Sequence, residues 1–83
     1  MAQKISVTGK VTDAANGLPL YGVSIGSTGT SLGVISDVDG KFTIQVPSKD
    51  ALLVFSFVGY KPKQVAVGEI TQLNVTMEQE MTE

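Results

Sequence analysis

Chemistry in an 83-residue chain that holds neither histidine nor cysteine has few possible carriers. The carboxylates come first. Asp37-Val38-Asp39-Gly40 has the opening spacing of an EF-hand calcium loop. No glutamate stands at the twelfth position, and Phe42 and Ile44 follow in strand pattern. Asp-Gly is also a favoured turn dipeptide for backbone reasons alone. The segment reads as a turn, with weak calcium binding by Asp37 and Asp39 as the alternative. The other carboxylates are scattered, and no pair suggests acid–base work in a cleft. Serine and threonine are abundant, but a hydroxyl nucleophile needs a base held by a third group. Ser48 and Lys49 are adjacent rather than in Ser-x-x-Lys spacing. Gly26, Gly29 and Gly33 form no phosphate loop, because no helix follows them. Tyr21 and Tyr60 are candidate contacts for a sugar or a protein. The preferred reading packs each ring into the core with its hydroxyl at the rim. No catalytic, cofactor-binding or metal-ligating residue is assigned, and no cofactor is expected.

The elements that must hold these residues are strands. The organising stretch is Leu52 to Tyr60, LLVFSFVGY, which carries no charge. Alternation puts Leu53, Phe55 and Phe57 on one face and Leu52, Val54 and Val58 on the other. Both sets are apolar, so the segment is expected to be an interior strand covered on both sides. Lys4 to Thr12 alternates Ile5, Val7 and Val11 with polar residues, giving a strand with one wet face. Gly9 within it suggests a bulge or a close backbone approach. Asp13 to Pro19 is a turn built on Asn16-Gly17. Short strands follow at Tyr21 to Gly26 (Tyr21, Val23 and Ile25 on one face) and Ser31 to Ser36, separated by the polar loop Ser27 to Ser31. The latter strand, Asp37 to Gly40 and Lys41 to Val46 read together as a β-hairpin. Lys61 to Val67 suits an edge position, because Lys61, Pro62 and Lys63 discourage stray pairing. Gly68-Glu69 turns the chain into the last strand, Gln72 to Glu78. Residues 79–83 read as a flexible acidic tail on a single domain spanning residues 4–78.

Lys10 on the first strand and Asn74 on the last resemble the lysine–asparagine pairs that form isopeptide bonds in some bacterial β-sandwich domains. That reaction requires burial beside a carboxyl group. Both residues alternate out of phase with Val7, Val11, Leu73 and Val75, so both are expected in solvent.

Composition narrows the function classes. The net charge is −2, with six lysines and no arginine. Nucleic-acid binding normally shows a basic patch with arginine forks, so it is not expected. No run approaches the roughly 18 to 20 apolar residues of a membrane span, and no stretch reads as a signal peptide. Seven short strands, Gly/Pro/Asn/Asp turns and no convincing helix describe an all-β sandwich.

Three stretches carry a family resemblance: VTGKVTDAANGLPLYGVSI (Val7 to Ile25), GVISDVDGKFTIQVP (Gly33 to Pro47) and LVFSFVGYKPKQVAV (Leu53 to Val67). Their order resembles the carboxypeptidase-regulatory-like domain, a seven-stranded transthyretin-like (prealbumin-like) Greek-key β-sandwich. More closely, it resembles the N-terminal extension of SusC-like TonB-dependent outer-membrane receptors of Bacteroidetes. Ser36 stands where threonine is common in that phrase. The resemblance implies a non-catalytic periplasmic accessory domain of a nutrient (glycan) import receptor. Its expected partners are proteins: the receptor's own plug and barrel, or components of the TonB system. The membrane is reached only through the receptor's barrel. On that resemblance the chain is expected to be an excised domain. The alternative is a carbohydrate- or calcium-binding module of a secreted enzyme or adhesin.

Overall fold

A computed structural model describes residues 5–28, 33–68 and 71–80. These fold into seven strands: β1 (Ile5–Asp13), β2 (Ser24–Ser27), β3 (Gly33–Ile35), β4 (Lys41–Val46), β5 (Leu52–Ser56), β6 (Lys63–Ala66) and β7 (Gln72–Met77). Two sheets form, in the orders β4-β1-β7 and β3-β2-β5-β6. The expected all-β sandwich is what the chain makes.

Period-two patterning explains why. In β4 and β7 every second residue is buried, and the residues between them are exposed. The inner faces meet over Val7, Val11, Ile25, Phe42, Ile44, Leu53, Phe55 and Val75. Burying each of the larger side chains contributes about 1.5–3 kcal/mol. Phe42 and Phe55 meet edge-to-face across the two sheets, with ring centroids 5.5 Å apart. That geometry adds about 0.5–1.5 kcal/mol beyond area burial.

β5 is interior, between β2 and β6, and Leu53 and Phe55 are fully buried. The cover expected on its second face is only partial. Leu52 and Val54 are half-buried, the strand ends at Ser56, and Val58 is 94% exposed. A two-layer sandwich leaves each sheet one outer face, so an apolar run on β5 buys no third layer.

The expected hairpin through Asp37–Gly40 does not form. β3 pairs with β2 and β4 pairs with β1, so that turn carries the chain from one sheet to the other. The turn itself is as tight as its sequence suggests. The Gly40 amide donates to the Asp37 carbonyl at 2.8 Å, and Gly40 has a φ of 77°. Turn chemistry is local, whereas strand partnership is set by which faces must meet in the core, and Asp-Gly does not encode the latter.

β1 is the spine of its sheet, antiparallel to β4 and parallel to β7. Gly9 causes no bulge, since the register runs through it on both sides. It marks a close approach: a Cβ there would collide with the Leu73 carbonyl and lie 2.6 Å from the Phe42 ring. At the Asn16-Gly17 turn only Gly17 takes a positive φ, 72°. Residues 29–32, in the expected polar loop and the start of the following strand, and Glu69 of the later turn lie outside the described residues.

Candidate functional site

The polar network inside this molecule gathers where the two sheets join at one end. Asp13 closes β1 and is only 2% exposed. The Tyr60 hydroxyl donates to its Oδ2, and the Gln79 side-chain amide donates to the same oxygen at 3.2 Å. The Ala15 amide donates to Oδ1 at 2.7 Å. Backbone bonds brace the junction: Glu80 donates to the Gly59 carbonyl and Lys61 to the Glu78 carbonyl, both at 2.9 Å. Gln79 and Glu80 are thus tied to the body of the sandwich although the sequence assigns them to a tail. Residues 81–83 lie outside the described residues.

Each local feature has a sequence cause. Gly59, with a φ of 87°, turns the chain after β5 and aims Tyr60 back at Asp13. The Tyr60 ring packs against Phe57 at 5.5 Å, so Phe57 leaves the β5 ladder to become a wall of this junction. The hydrogen bond from Tyr60, followed by that from the Ala15 amide, holds the Asp13 carboxyl below its ordinary range. The same bond to Asp13, with some desolvation, raises the Tyr60 phenol above 10.0.

Tyr60 therefore takes the expected position, ring inward and hydroxyl at the rim. Tyr21 does not. It precedes β2 and is 64% exposed, because the strand starts at Ser24 and Gly22, with a φ of 91°, redirects the chain. Asp37 spends its Oδ1 on the Asp39 and Lys41 amides, both at 2.9 Å, which is the work of a turn residue. Lys10 and Asn74 are register partners on β1 and β7, yet both are exposed, so the burial that isopeptide chemistry needs is absent.

Asp13 and Ser36 escaped the sequence reading. Asp13 looked like the first residue of a turn, but it shares the phase of Val7 and Val11 and so faces inward. That phase was the available signal. Ser36 is 1% exposed; its Oγ donates to the Leu20 carbonyl at 2.7 Å and accepts from the Val23 amide at 2.9 Å. It pins the segment leading into β2. Ser27 is buried as well, its Oγ donating to the Thr28 carbonyl at 3.1 Å, so the three buried polar side chains among the described residues are all engaged within the fold, and no group of three metal-ligating side chains forms among those residues.

The CarboxypepD_reg-like domain model matches residues 7–83. The chain belongs to the CarboxypepD_reg-like domain family. Among curated proteins, this CarboxypepD_reg-like domain is similar to TonB-dependent receptor P3 of Formosa agariphila, at 37% identity over 99% of the chain. It is also similar to TonB-dependent receptor P26 of that organism, at 41% identity over 86% of the chain. The third relative is TonB-dependent receptor SusC of Bacteroides thetaiotaomicron, at 38% identity over 92% of the chain. The domain spans only 7–8% of the length of these receptors. Among solved structures, a chain of the type II cohesin–X-dockerin complex of Acetivibrio cellulolyticus superposes with a TM-score of 0.70 at 16% identity. That superposition covers 88% of this chain and 56% of the other, and it speaks to the fold alone.

Proposed function

We propose that this domain is a non-catalytic interaction module on the periplasmic side of a SusC-like TonB-dependent receptor that imports glycan nutrients across the outer membrane. The observation that carries the reading is similarity to three TonB-dependent receptors over 86–99% of the chain. The interior supports it, since Asp13 and Ser36 are consumed in structure and the chain contains no histidine or cysteine for catalysis. At 7–8% of a receptor's length, the module leaves transport to the remainder and contributes a surface. The test is a full-length receptor with the domain deleted, assayed for glycan uptake and for barrel insertion. Reduced uptake with normal insertion is expected. Unchanged uptake overturns the reading.

The exposure of Tyr21 favours one secondary reading, direct glycan contact by the domain. Calorimetric titration with glycans decides it: a saturable heat lost in Tyr21→Ala supports contact, and flat titrations remove it.

A further inference from the structure

The four sheet edges of this sandwich are not alike. At the β7 edge the Thr76 carbonyl accepts from Lys63 Nζ at 3.0 Å and the Glu78 carbonyl accepts from the Lys61 amide at 2.9 Å. β6 is four residues long with Pro62 just before it, and β3 is three residues long and starts with glycine. Short strands, prolines and lysines are the usual means of blunting an edge. β4 is blunted only at its ends, by Lys41 at its start and Pro47 just past Val46: it runs six residues in unbroken alternation and, among the described residues, pairs only with β1. Among the described residues, no hydrogen bond from outside that ladder reaches Phe42–Val46.

The outer face beside this edge has a definite charge. Lys10 and Lys41 stand directly opposite each other, with Asn74 beside Lys10. Thr8, Thr43 and Gln72 form the neighbouring row, and the two rows line a depression of about 430 Å³. The outward positions of β1, β4 and β7 carry these two lysines and no carboxylate. Like charges directly opposite across a strand pair are unfavourable unless an anion lies between or beside them.

We infer that the open edge of β4 is a strand-addition site for an extended acidic peptide, whose outward carboxylates face Lys41 on the adjacent strand, with Lys10 one strand further in adding to the positive field. A strand added to β4 would lie about 4.8 Å away, placing its outward side chains beside Lys41, Thr43 and Gln45. Charge complementarity selects the acidic sequence. The inference deepens the interaction role proposed above and rests on it. The two fail separately, because peptide binding is read on the isolated chain and uptake on the whole receptor.

The experiment is an NMR titration of the 83-residue chain with an alternating Thr–Glu octapeptide and its Thr–Gln counterpart. The Lys41 amide and carbonyl are already bonded to Asp37, so saturable shifts across β4 with new amide protection at Thr43 and Gln45 are expected. Affinity should fall at least tenfold with the Thr–Gln peptide and at least tenfold in Lys41→Glu. That variant places a carboxylate opposite Lys10, so its Tm should hold or rise, which separates lost binding from lost folding. Absence of a β4 response, equal binding of both peptides, retained binding in Lys41→Glu, or β4 protection arising from self-association without peptide would each overturn the inference.

Discussion

Asp13 and Tyr60 share one hydrogen bond with consequences at both ends of the pH scale. A carboxyl whose folded pKa is depressed stabilises the fold above its ordinary value, 3.8 here, and loses that contribution as pH falls through the folded value. A phenol whose folded pKa is raised stabilises below its ordinary value, 10.0, and loses that contribution as pH rises through the folded value. Tyr60→Phe should therefore lower stability across the neutral plateau and flatten both the acid limb below about pH 4 and the alkaline limb above about pH 10. Urea midpoints measured from pH 2 to 11 check this, and a variant with both limbs unchanged refutes the coupling. Ser36 has a simpler role. Ser36→Ala leaves the Val23 amide and the Leu20 carbonyl without their buried partner and should cost about 1–3 kcal/mol by denaturant unfolding. Ser36→Thr keeps the hydroxyl and should retain most of that stability.

At the scale of elements, β1 is the strand that everything in its sheet depends on, and Gly9 is its narrowest point. Gly9→Ala would press a methyl into the Leu73 carbonyl and the Phe42 ring. Backbone on one side and a core aromatic on the other leave little room to relax. The expected cost is at least about 2 kcal/mol, the upper part of the range for overpacking, read as a lowered Tm. Gly26→Ala is the matched control, because nothing lies within 4 Å of a Cβ there. The contrast also shows what the sequence carried. Alternation in β1, β4 and β7 was legible because each shows one face to water. The position of β5 as an interior strand was legible from its apolar run. The partnership of β4 was not, because Asp37–Gly40 has the local chemistry of a hairpin turn while the core demands that β3 and β4 lie in different sheets. Nor was the exposure of Tyr21, which depends on Gly22 turning the chain before β2 begins. Asp13 was half legible: its phase was readable, but its partners lie 47 and 66 residues away along the chain.

For the whole molecule, the small sandwich engages its buried polar groups in its own closure, and the proposal is that its outer faces bind. The two sheets meet through Phe42 and Phe55, so Phe55→Ala should cost about 3–5 kcal/mol, a large share of the roughly 5–15 kcal/mol that holds a domain folded. Thermal circular dichroism should show a strongly lowered Tm, and uptake by a full-length receptor carrying that substitution should fall toward that of the domain deletion. The two sheets also differ in what they offer outside. One carries Lys10 and Lys41 among hydroxyls and amides, while the other presents Ile35, Ser24, Ser56 and half-buried Val54. Such asymmetry suits a module that meets its partner with one side.

The most direct measurement is site-specific photocrosslinking in living cells, with a photoreactive residue placed at Thr43 on β4 of a full-length receptor and, as a comparison, at Ala66 on β6. A protein adduct at Thr43 that diminishes in Lys41→Glu and is weaker or missing at Ala66 is the predicted result. Failure of Thr43 to capture any protein, in a receptor that imports its glycan normally, would contradict the claim that this domain works by binding.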